Sequence, residues 1–346
     1  MRNAHAITYR MIYLFRQAIC TMTLKGNETM NVLVTGGKGF IGSHLVNFLK
    51  TRGFWVRSID IKKDAYLPTK EDEFILGDLT DSNVALSATE DIHFVYNLAA
   101  NMGGIGFITK VKADVMRDNV RINANILEAC IANNIQRLFF SSSACVYPQK
   151  LQLAPEVEPL REVDAFPAYP DSAYGWEKLF TELLMEAYHE DYGLDIRIAR
   201  FHNIYGPFGT YKGGREKAPA ALCRKVAEAS EHETITIWGD GKQTRSFLYI
   251  DDALDAIHRL MESNCIKPLN IGSDELISID GLADMIIEIS GKRLGKRYDT
   301  SKPQGVRGRN ADLHLIEKTL GWKPETPYRK GIEETYHWIE TMVKKQ

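Results

Sequence analysis

NVLVTGGKGFIGSHLVNFLKTRG (residues 31–53) is the stretch that decides the fold of this chain. An apolar run typical of a buried parallel strand leads into a turn with three glycines spaced three apart, and an amphipathic helical pattern follows at once. Glycine lets the backbone turn sharply and lets a pyrophosphate approach the free N–H groups at the helix N-terminus. A glycine triplet without this context is more often an ordinary turn. The stretch predicts a dinucleotide site, whose expected contacts are Gly36, Gly39, Phe40, Ile41 and Gly42.

The same strand-then-helix pattern recurs further along the chain. FWVRSID, FVYNLAA, RLFFSSS and LDIRIARF have the character of buried strands, and helical stretches separate them. Such alternation predicts an α/β fold with a Rossmann-like, doubly wound parallel sheet. Sequence rich in glycine and proline after Phe201 indicates a smaller, discontinuous α/β substrate lobe. We assign residues 1–29 to an N-terminal extension that is disordered or non-native, 30–200 plus 235–263 to the dinucleotide-binding domain, and 201–234 plus 264–346 to the substrate lobe.

Composition narrows the class of protein. The 346 residues carry a formal net charge of −2 with acids and bases interspersed, which argues against a nucleic-acid or membrane-surface partner. The apolar run MIYLF near the N-terminus is too short for a signal-peptide core or a membrane span, and a transit peptide is the alternative there. The five cysteines lack the paired spacing of zinc sites, so we expect no metal and a reducing, cytoplasmic location.

Asp60 distinguishes between the two nicotinamide cofactors. It ends the second strand, in VRSID, where a carboxylate would bind the adenosine ribose hydroxyls and repel a 2′-phosphate. The cofactor is therefore expected to be NAD rather than NADP, although Lys62 and Lys63 follow closely and would weaken that preference. The alternative is that Asp60 only caps a turn. Asp78, in LGDLT, is the expected adenine contact.

A serine, a tyrosine and a lysine are placed for hydride chemistry. Tyr174 and Lys178, in AYGWEK, lie four residues apart and share one face of an expected helix. A tyrosine with a pKa of about 10 is a poor base at neutral pH unless a nearby cation stabilises its phenolate, and Lys178 supplies that charge. Ser143 ends a strand upstream and would bind the same substrate hydroxyl. The three residues predict reversible oxidation of a carbinol.

Cys145 and Lys217 suit proton exchange next to a ketone. Once a sugar carbinol is oxidised, the adjacent C–H bonds become acidic, and a thiolate in SSSACVYP could remove one of those protons. Lys217 opens an expected helix after a glycine loop, where the helix N-terminus and a cationic cofactor would lower its pKa and help it to donate protons. The alternatives are a small core cysteine and a solvated or phosphate-binding lysine.

Several long segments carry a family resemblance. NLAANMGGIGFI, SSSACVYP, AYGWEK, RFHNIYGPFGTYKGGREKAPAALCRK, WGDGKQTRSF, NIGSDE and GVRGRN occur in order from about residue 30 to the C-terminal helix. They resemble the extended short-chain dehydrogenase/reductases, and most closely the GDP-mannose 3,5-epimerases. The resemblance implies a homodimeric isomerase that retains NAD and converts GDP-mannose to GDP-L-galactose, with GDP-L-gulose as a further product.

The resemblance also implies a role for each site residue. Tyr174, Lys178 and Ser143 would oxidise C4 of the GDP-bound hexose. Cys145 and Lys217 would then invert C5 and C3, and C4 would be reduced again with no net redox change. The implied substrate contacts, with the arginines near the C-terminus assigned to the diphosphate, are Met102, Gly103, Gly104, Ser143, Asn203, Lys217, Lys225, Gln243, Arg245, Arg307 and Arg309.

Two positions depart from the plant-type pattern, and other functions remain open. Asn101 stands where an aspartate is expected and Tyr211 where a tryptophan is expected, both near the sugar site. They leave a heptose or a 6-deoxy sugar as alternative substrates. The nearest alternative enzyme is a 3,5-epimerase/4-reductase of the GDP-fucose synthase kind, which consumes NADPH, and Asp60 argues against it. A non-catalytic NAD-binding regulator is the alternative from a different class.

Overall fold

Strands and helices alternate along residues 29–345, the part of the chain that this computed structural model describes. The strands, numbered in chain order, are β1 Asn31–Thr35, β2 Trp55–Asp60, β3 Glu73–Leu76, β4 Phe94–Asn97, β5 Arg137–Ser143, β6 Asp195–Phe201, β7 Ile204–Tyr205, β8 Thr234–Trp238, β9 Thr244–Ser246, β10 Leu248–Tyr249, β11 Leu269–Ile271, β12 Leu276–Ser278, β13 Gly295–Asp299 and β14 Gly308–Arg309. The helices are α1 Phe40–Thr51, α2 Ser82–Ala88, α3 Ile105–Ile108, α4 Lys112–Ala132, α5 Ala173–Tyr192, α6 Ala218–Glu228, α7 Ile250–Glu262, α8 Ile279–Ser290, α9 His314–Leu320 and α10 Tyr328–Lys344. The extension expected at residues 1–29 lies outside the described residues, except for its last one.

A seven-stranded parallel sheet forms the larger domain. Its strand order is β11-β6-β5-β4-β1-β2-β3, so the chain winds outward from β1 first in one direction and then in the other. This is the doubly wound arrangement that the alternation of strands and helices predicts, and the expected fold class is confirmed. The carboxyl ends of these strands lie along one edge, where such sheets bind their ligands.

Alternate residues of β1 face two separate hydrophobic cores. Val32 and Val34 pack in a core that includes the inner faces of α1 and α7. Leu33 points to the other side, into a core that includes residues of α2, α4 and α5. Because side chains alternate along a strand, the apolar run Val32–Val34 of β1 needs cover on both faces. The two layers of helices supply that cover.

A smaller lobe is built from short sheets and three packed helices. Strand β13 pairs in parallel with β8, and β12, β9 and β14 form a three-stranded sheet. Helices α6, α8 and α10 pack on one another, and their buried side chains join the core beneath α1 and α7. The lobe therefore shares its core with the larger domain.

The sequence analysis assigns two short strands to one lobe, and the structure places each of them in the other. Leu269–Ile271 (β11) completes the central sheet, although we placed residues 264–346 in the substrate lobe. Thr234–Trp238 (β8) pairs with β13 in the smaller lobe, although we placed residues 235–263 in the dinucleotide-binding domain. Each strand pairs with another strand about 60 residues or more away in sequence. A run of three to five residues does not by itself indicate which strand it pairs with.

No helix within residues 29–345 combines the length and the apolar character that a bilayer crossing requires.

Candidate active site

A cavity of about 1300 Å³ opens along the carboxyl edge of the central sheet. Its lining follows the strand ends in turn, with Gly36 after β1, Asp60 at the end of β2, Ser143 at the end of β5 and Asn203 after β6. Residues of the smaller lobe, including Lys217, close the opposite side. A cavity of this size holds a dinucleotide and a nucleotide sugar together more readily than a single small metabolite.

The glycine turn is shaped to accept a pyrophosphate. Gly36 has φ +66°, and the Gly39 N–H donates to the Gly36 carbonyl at 2.9 Å. A Cβ on Gly42 would lie only 2.1 Å from the Gly36 carbonyl oxygen, so no larger residue fits there without moving the turn. Helix α1 begins directly after Gly39 without a side-chain cap, which leaves its first N–H groups free for an anion. Phe40 and Ile41 also line the cavity.

The Asp60 carboxylate lies beside this turn. Its Oδ2 accepts from the Lys38 N–H at 2.9 Å and its Oδ1 from the Lys62 N–H at 3.0 Å, so it holds both backbone segments. The same carboxylate lines the cavity, and the turn-capping alternative and the ribose-binding expectation are therefore compatible. Asp78 lines the cavity further along, and its Oδ1 accepts from the Thr80 N–H at 2.9 Å. These residues fit a bound NAD.

Tyr174 and Lys178 lie on the first turns of α5, facing the cavity. Ser172 caps this helix by accepting from the Gly175 N–H at 3.2 Å. Lys178 Nζ lies 5.6 Å from the centroid of the Tyr174 ring. Burial raises the pKa of Tyr174, and the nearby Cys145 and Glu177 raise it further, whereas hydrogen bonding with Ser143 lowers it. The phenol therefore needs added positive charge to act as a base.

Burial shifts the pKa of Lys178 in the opposite direction, because it disfavours the charged form of both groups. Its side chain is 1% exposed, and burial lowers its pKa, although the carboxylates of Glu177 and Glu182 act to raise it. The ammonium also lies 4.6 Å from the centroid of the Phe140 ring, which favours the cationic form. The carboxylates and the aromatic face therefore oppose the loss of charge on Lys178 that burial favours, but burial has the larger effect on its pKa.

Cys145 lies on a 3-10 turn that touches the start of α5. A Cβ on Gly175 would be 2.1 Å from the Cys145 carbonyl oxygen, so the helix and the turn are in direct contact. Arg309 Nη1 lies 3.3 Å from Cys145 Sγ, and Arg309 Nη2 lies 3.3 Å from Asp171 Oδ2. The thiol therefore faces the cavity with a guanidinium at its side.

Lys217 reaches the same cavity from the smaller lobe. It is the N-cap residue of α6, and its carbonyl accepts from the Ala221 N–H at 2.9 Å. Its side chain is accessible to water in the cavity, but protein atoms surround it. Burial lowers the pKa of Lys217 and the Arg309 guanidinium lowers it further, while Cys145 opposes this. The pKa shift has the direction that the sequence predicts, and burial is its largest cause, with Arg309 adding to it.

The Met-Gly-Gly segment packs against the residues that precede Lys217. The Gly104 N–H donates to the Arg215 carbonyl at 3.0 Å, and a Cβ on Gly104 would lie 2.4 Å from the Glu216 carbonyl oxygen. Arg215 Nη1 donates to the Met102 carbonyl at 3.1 Å. Met102, Gly103 and Gly104 all line the cavity, as expected for a sugar-binding segment.

The two departures from the plant-type pattern lie in different surroundings. Asn101 lines the cavity, but its N–H donates to Asn119 Oδ1 at 2.6 Å and its Nδ2 to Asp118 Oδ2 at 3.1 Å. Tyr211 is 1% exposed and contacts the rings of Tyr66 and Trp338. Tyr211 does not itself line the cavity, although the adjacent Thr210 does, and its position near the sugar site stays a prediction.

The expected diphosphate arginines are separated in the structure. Arg307 does not line the cavity, because its guanidinium forms two 3.0 Å bonds to the carboxylate of Asp240. Its assignment as a substrate contact stays a prediction, and binding substrate would require Arg307 to leave Asp240. Arg309 does line the cavity, but beside Cys145. Sequence alone does not distinguish two arginines that flank one glycine on a short strand.

The other expected contacts line the cavity, and each is already fixed by the protein. Lys225 Nζ donates to the Thr236 carbonyl at 2.6 Å, and Asn203 Nδ2 donates to the Ser246 carbonyl at 3.0 Å. Gln243 Nε2 donates to the Trp238 carbonyl at 2.9 Å, which leaves its buried Oε1 without a hydrogen-bond partner. An acceptor left free at the cavity is suited to a ligand N–H or O–H.

Arg245 is the remaining expected arginine. Its two terminal nitrogens donate to the carbonyls of Thr244, at 2.6 Å, and Val306, at 2.7 Å. Burial and the neighbouring Arg309 lower the pKa of Arg245 to about 9. A bound diphosphate would relieve this crowding of positive charge.

Sequence reasoning missed three residues of the site. Asp171, in PDSAYGWEK, pairs with Arg309, and Glu177 binds Asn119 and Asn123 with its two oxygens at 3.2 and 3.0 Å. Arg215 links the loop before α6 to the Met-Gly-Gly segment. Asp171 and Glu177 lie beside or within the tyrosine motif, and an acid next to the lysine of that motif was the available signal.

Three comparisons with known proteins agree with this geometry. The profile of the NAD dependent epimerase/dehydratase family matches residues 32–272, and the chain belongs to that family. The chain is 45% identical over 322 residues to GDP-mannose 3,5-epimerase of Arabidopsis thaliana, covering 92% of this chain and 85% of the relative. It is 31% identical over 320 residues to a probable GDP-L-fucose synthase of Oryza sativa subsp. japonica, covering 90% of this chain and 93% of the relative.

The fold is shared with solved sugar-nucleotide enzymes. UDP-glucose 4-epimerase of Thermotoga maritima superposes with a TM-score of 0.83 at 26% identity, covering 91% of this chain and all of that one. The resemblance to GDP-mannose 3,5-epimerases seen in the sequence is confirmed, and the GDP-fucose synthase kind matches less well.

Proposed function

We propose that this protein is an NAD-dependent epimerase that converts GDP-mannose to GDP-L-galactose, with GDP-L-gulose as a further product. The observation that carries the proposal is the contact between the start of α5 and the Cys145 turn, which joins a Tyr-Lys pair to a thiol at one cavity. The 45% identity to a GDP-mannose 3,5-epimerase supports the choice of sugar nucleotide.

In this proposal the Tyr174 phenolate takes the proton of the C4 hydroxyl, and Ser143 holds that hydroxyl. A bound nicotinamide supplies hydride acceptance and hydride return at C4. Tyr174 has a raised pKa, so its phenolate needs positive charge nearby. Lys178 supplies such a charge, and a bound, positively charged nicotinamide would add to it. The tyrosine returns the proton when C4 is reduced.

Cys145 and Lys217 remove protons from the sugar and return protons to it while C4 is a ketone. The ketone makes the C–H bonds at C5 and C3 acidic, so a base can remove one proton and an acid can deliver another to the opposite face of the ring. The lowered pKa of Lys217 favours its acting as the acid at neutral pH. Arg309, at 3.3 Å from Sγ, holds the thiol toward the cavity. The proton exchange does not change the oxidation state of the sugar, and the oxidation at C4 is reversed when C4 is reduced again.

The substrate contacts complete the proposal. Met102, Gly103 and Gly104 enclose the hexose, and Arg245 binds the diphosphate. Lys225, Asn203 and Gln243 hold the rest of the nucleotide sugar. This division agrees with their common cavity, and with the unpartnered oxygen of Gln243.

Incubation with GDP-mannose in heavy water, without added cofactor, tests the function. We expect deuterium at C5 and at C3 of the recovered sugar nucleotide, read by NMR and mass spectrometry, together with GDP-L-galactose. GDP-mannose recovered without label would contradict the proposed substrate. Net oxidation of NADPH with a GDP-4-keto-6-deoxy sugar would instead identify the epimerase-reductase activity.

A homodimer is also part of the proposal. Trp176, Phe180 and Leu183 are spaced as one face of α5 and are 43%, 48% and 47% exposed. Met116, on the neighbouring α4, is also exposed. An apolar stripe this continuous is expected to be covered by a partner, and a second copy of α5 supplies a matching stripe.

The Phe180→Glu variant tests the dimer. We expect sedimentation to show a dimer for the wild type and a dissociation constant at least about tenfold weaker for the variant, because a charge cannot be buried in that stripe without cost. Leu153→Glu, which changes an exposed leucine elsewhere, should remain dimeric. A wild-type monomer at micromolar concentration would contradict the proposal.

A cytoplasmic location completes the proposal. The cysteines within residues 29–345 are Cys130, Cys145, Cys223 and Cys265, and all of them are free thiols. Free thiols agree with a reducing compartment.

A further inference from the structure

The glycine turn contains a lysine that points away from the cavity. Lys38 lies between two cavity-lining glycines, and its N–H donates to Asp60 Oδ2 at 2.9 Å, but its own side chain does not line the cavity. A lysine side chain spans about 6 Å from Cα to Nζ, so Lys38 can reach the space beside the Asp60 carboxylate. A cation there would attract a phosphate on the adenosine ribose.

In the structure, a buried carboxylate holds the Lys38 side chain away from Asp60. Lys38 Nζ pairs with Glu71 and donates to Thr69 Oγ1 at 2.5 Å. The two paired side chains are only 10% and 8% exposed, and the ammonium also lies 4.4 Å from the centroid of the Phe74 ring. The lysine is therefore fixed by Thr69 and Glu71, on the segment that leads into β3, and by Phe74 of β3 itself.

Ionisation of the Glu71 carboxyl strengthens its pairing with Lys38. Burial raises the pKa of Glu71, but hydrogen bonds from Lys38 and Thr69 more than offset this and leave the pKa below its usual value. Its second oxygen, Oε2, is buried without a partner. An ionised buried carboxylate with a free oxygen cannot release its one cation without a large cost.

We infer that Glu71 is a specificity-determining residue for the cofactor, which excludes NADP by withdrawing Lys38 from the ribose pocket. With Lys38 held, Asp60 is the carboxylate that meets the ribose, and it repels a 2′-phosphate. Lys62 lines the cavity nearby, so a released Lys38 would place a second cation around that phosphate. The inference rests on NAD binding at the glycine turn.

Calorimetric titration of the full chain, freed of bound nucleotide, tests the inference. For the wild type we expect NADP⁺ to bind at least about tenfold more weakly than NAD⁺. In Glu71→Gln the ratio of the two dissociation constants should fall about tenfold, mainly through tighter NADP⁺ binding, because a charge-assisted bond to phosphate has about that value.

Two controls separate release of Lys38 from general damage. The double variant Glu71→Gln/Lys38→Gln should return to the wild-type ratio. Glu73→Gln, which breaks the 2.8 Å pair between Arg57 of β2 and Glu73 of β3, two residues after Glu71, should leave the ratio unchanged. A double variant that kept the altered ratio would show that Lys38 is not the cause.

Glu71→Asp covers the case in which Glu71→Gln does not fold. It keeps the charge but withdraws it by one methylene, so it should shift the ratio in the same direction by a smaller factor. An unchanged ratio in a folded Glu71 variant overturns the inference. A wild-type protein that binds neither nucleotide overturns both the cofactor site and the inference.

Discussion

Cys145→Ser is expected to stop deuterium incorporation at C5 and C3 of GDP-mannose while leaving oxidation at C4 in place. A hydroxyl is a far weaker acid than a thiol, so serine cannot supply the base that removes a carbon-bound proton. The oxygen keeps nearly the same position beside Arg309, which lies 3.3 Å from the native sulfur. Loss of a positioned general base costs about a thousandfold, and epimerisation should slow by that factor.

Two readouts distinguish proton exchange from redox chemistry in this variant. Label in the sugar reports exchange, and the near-ultraviolet absorbance of reduced nicotinamide in a single turnover reports C4 oxidation. Cys265→Ser is the matched control, because Cys265 is also a free thiol but does not line the cavity. If Cys145→Ser lost C4 oxidation as well as exchange, the thiol would not be confined to proton transfer.

Tyr174→Phe should abolish both C4 oxidation and proton exchange with GDP-mannose. Without the phenol the C4 hydroxyl is not deprotonated, so no ketone forms and the neighbouring C–H bonds stay inert. We expect a fall of about a thousandfold or more in turnover. Exchange should return when a GDP-4-keto sugar is supplied, because Cys145 and Lys217 are unchanged.

Tyr192→Phe serves as the control for this second variant. Tyr192 ends the same helix and is 51% exposed, so its hydroxyl should not affect activity. Deuterium uptake by Tyr174→Phe from GDP-mannose itself would show that exchange does not depend on a ketone made by this tyrosine. Together the two variants order the steps, with oxidation before exchange.

Local features of the chain were predictable because short-range geometry determines them. The glycine turn follows from a strand, three glycines and a helix that are contiguous in sequence. Tyr174 and Lys178 share a helix face through their spacing alone. Lys217 opens a helix, as expected, because Pro219 follows it within the first turn.

Features set by distant partners were not predictable in the same way. Arg307 and Arg309 flank one glycine and are not distinguished by the sequence. Partners distant in the chain separate them, since Asp240 binds Arg307, whereas Cys145 and Asp171 bind Arg309 beside the cavity. Tyr211 joins an aromatic cluster with Trp338, more than a hundred residues away. The strands β8 and β11 were assigned to the wrong lobes for the same reason, since residues distant in sequence determine strand pairing.

The close packing of Gly175 on the Cys145 carbonyl has a kinetic consequence. A Cβ on Gly175 would lie only 2.1 Å from that oxygen, so the tyrosine helix and the thiol turn are in direct backbone contact. In the proposed mechanism, a sugar oxidised at C4 by Tyr174 would lie next to the Cys145 thiol. We therefore expect the ketone to be epimerised before it dissociates.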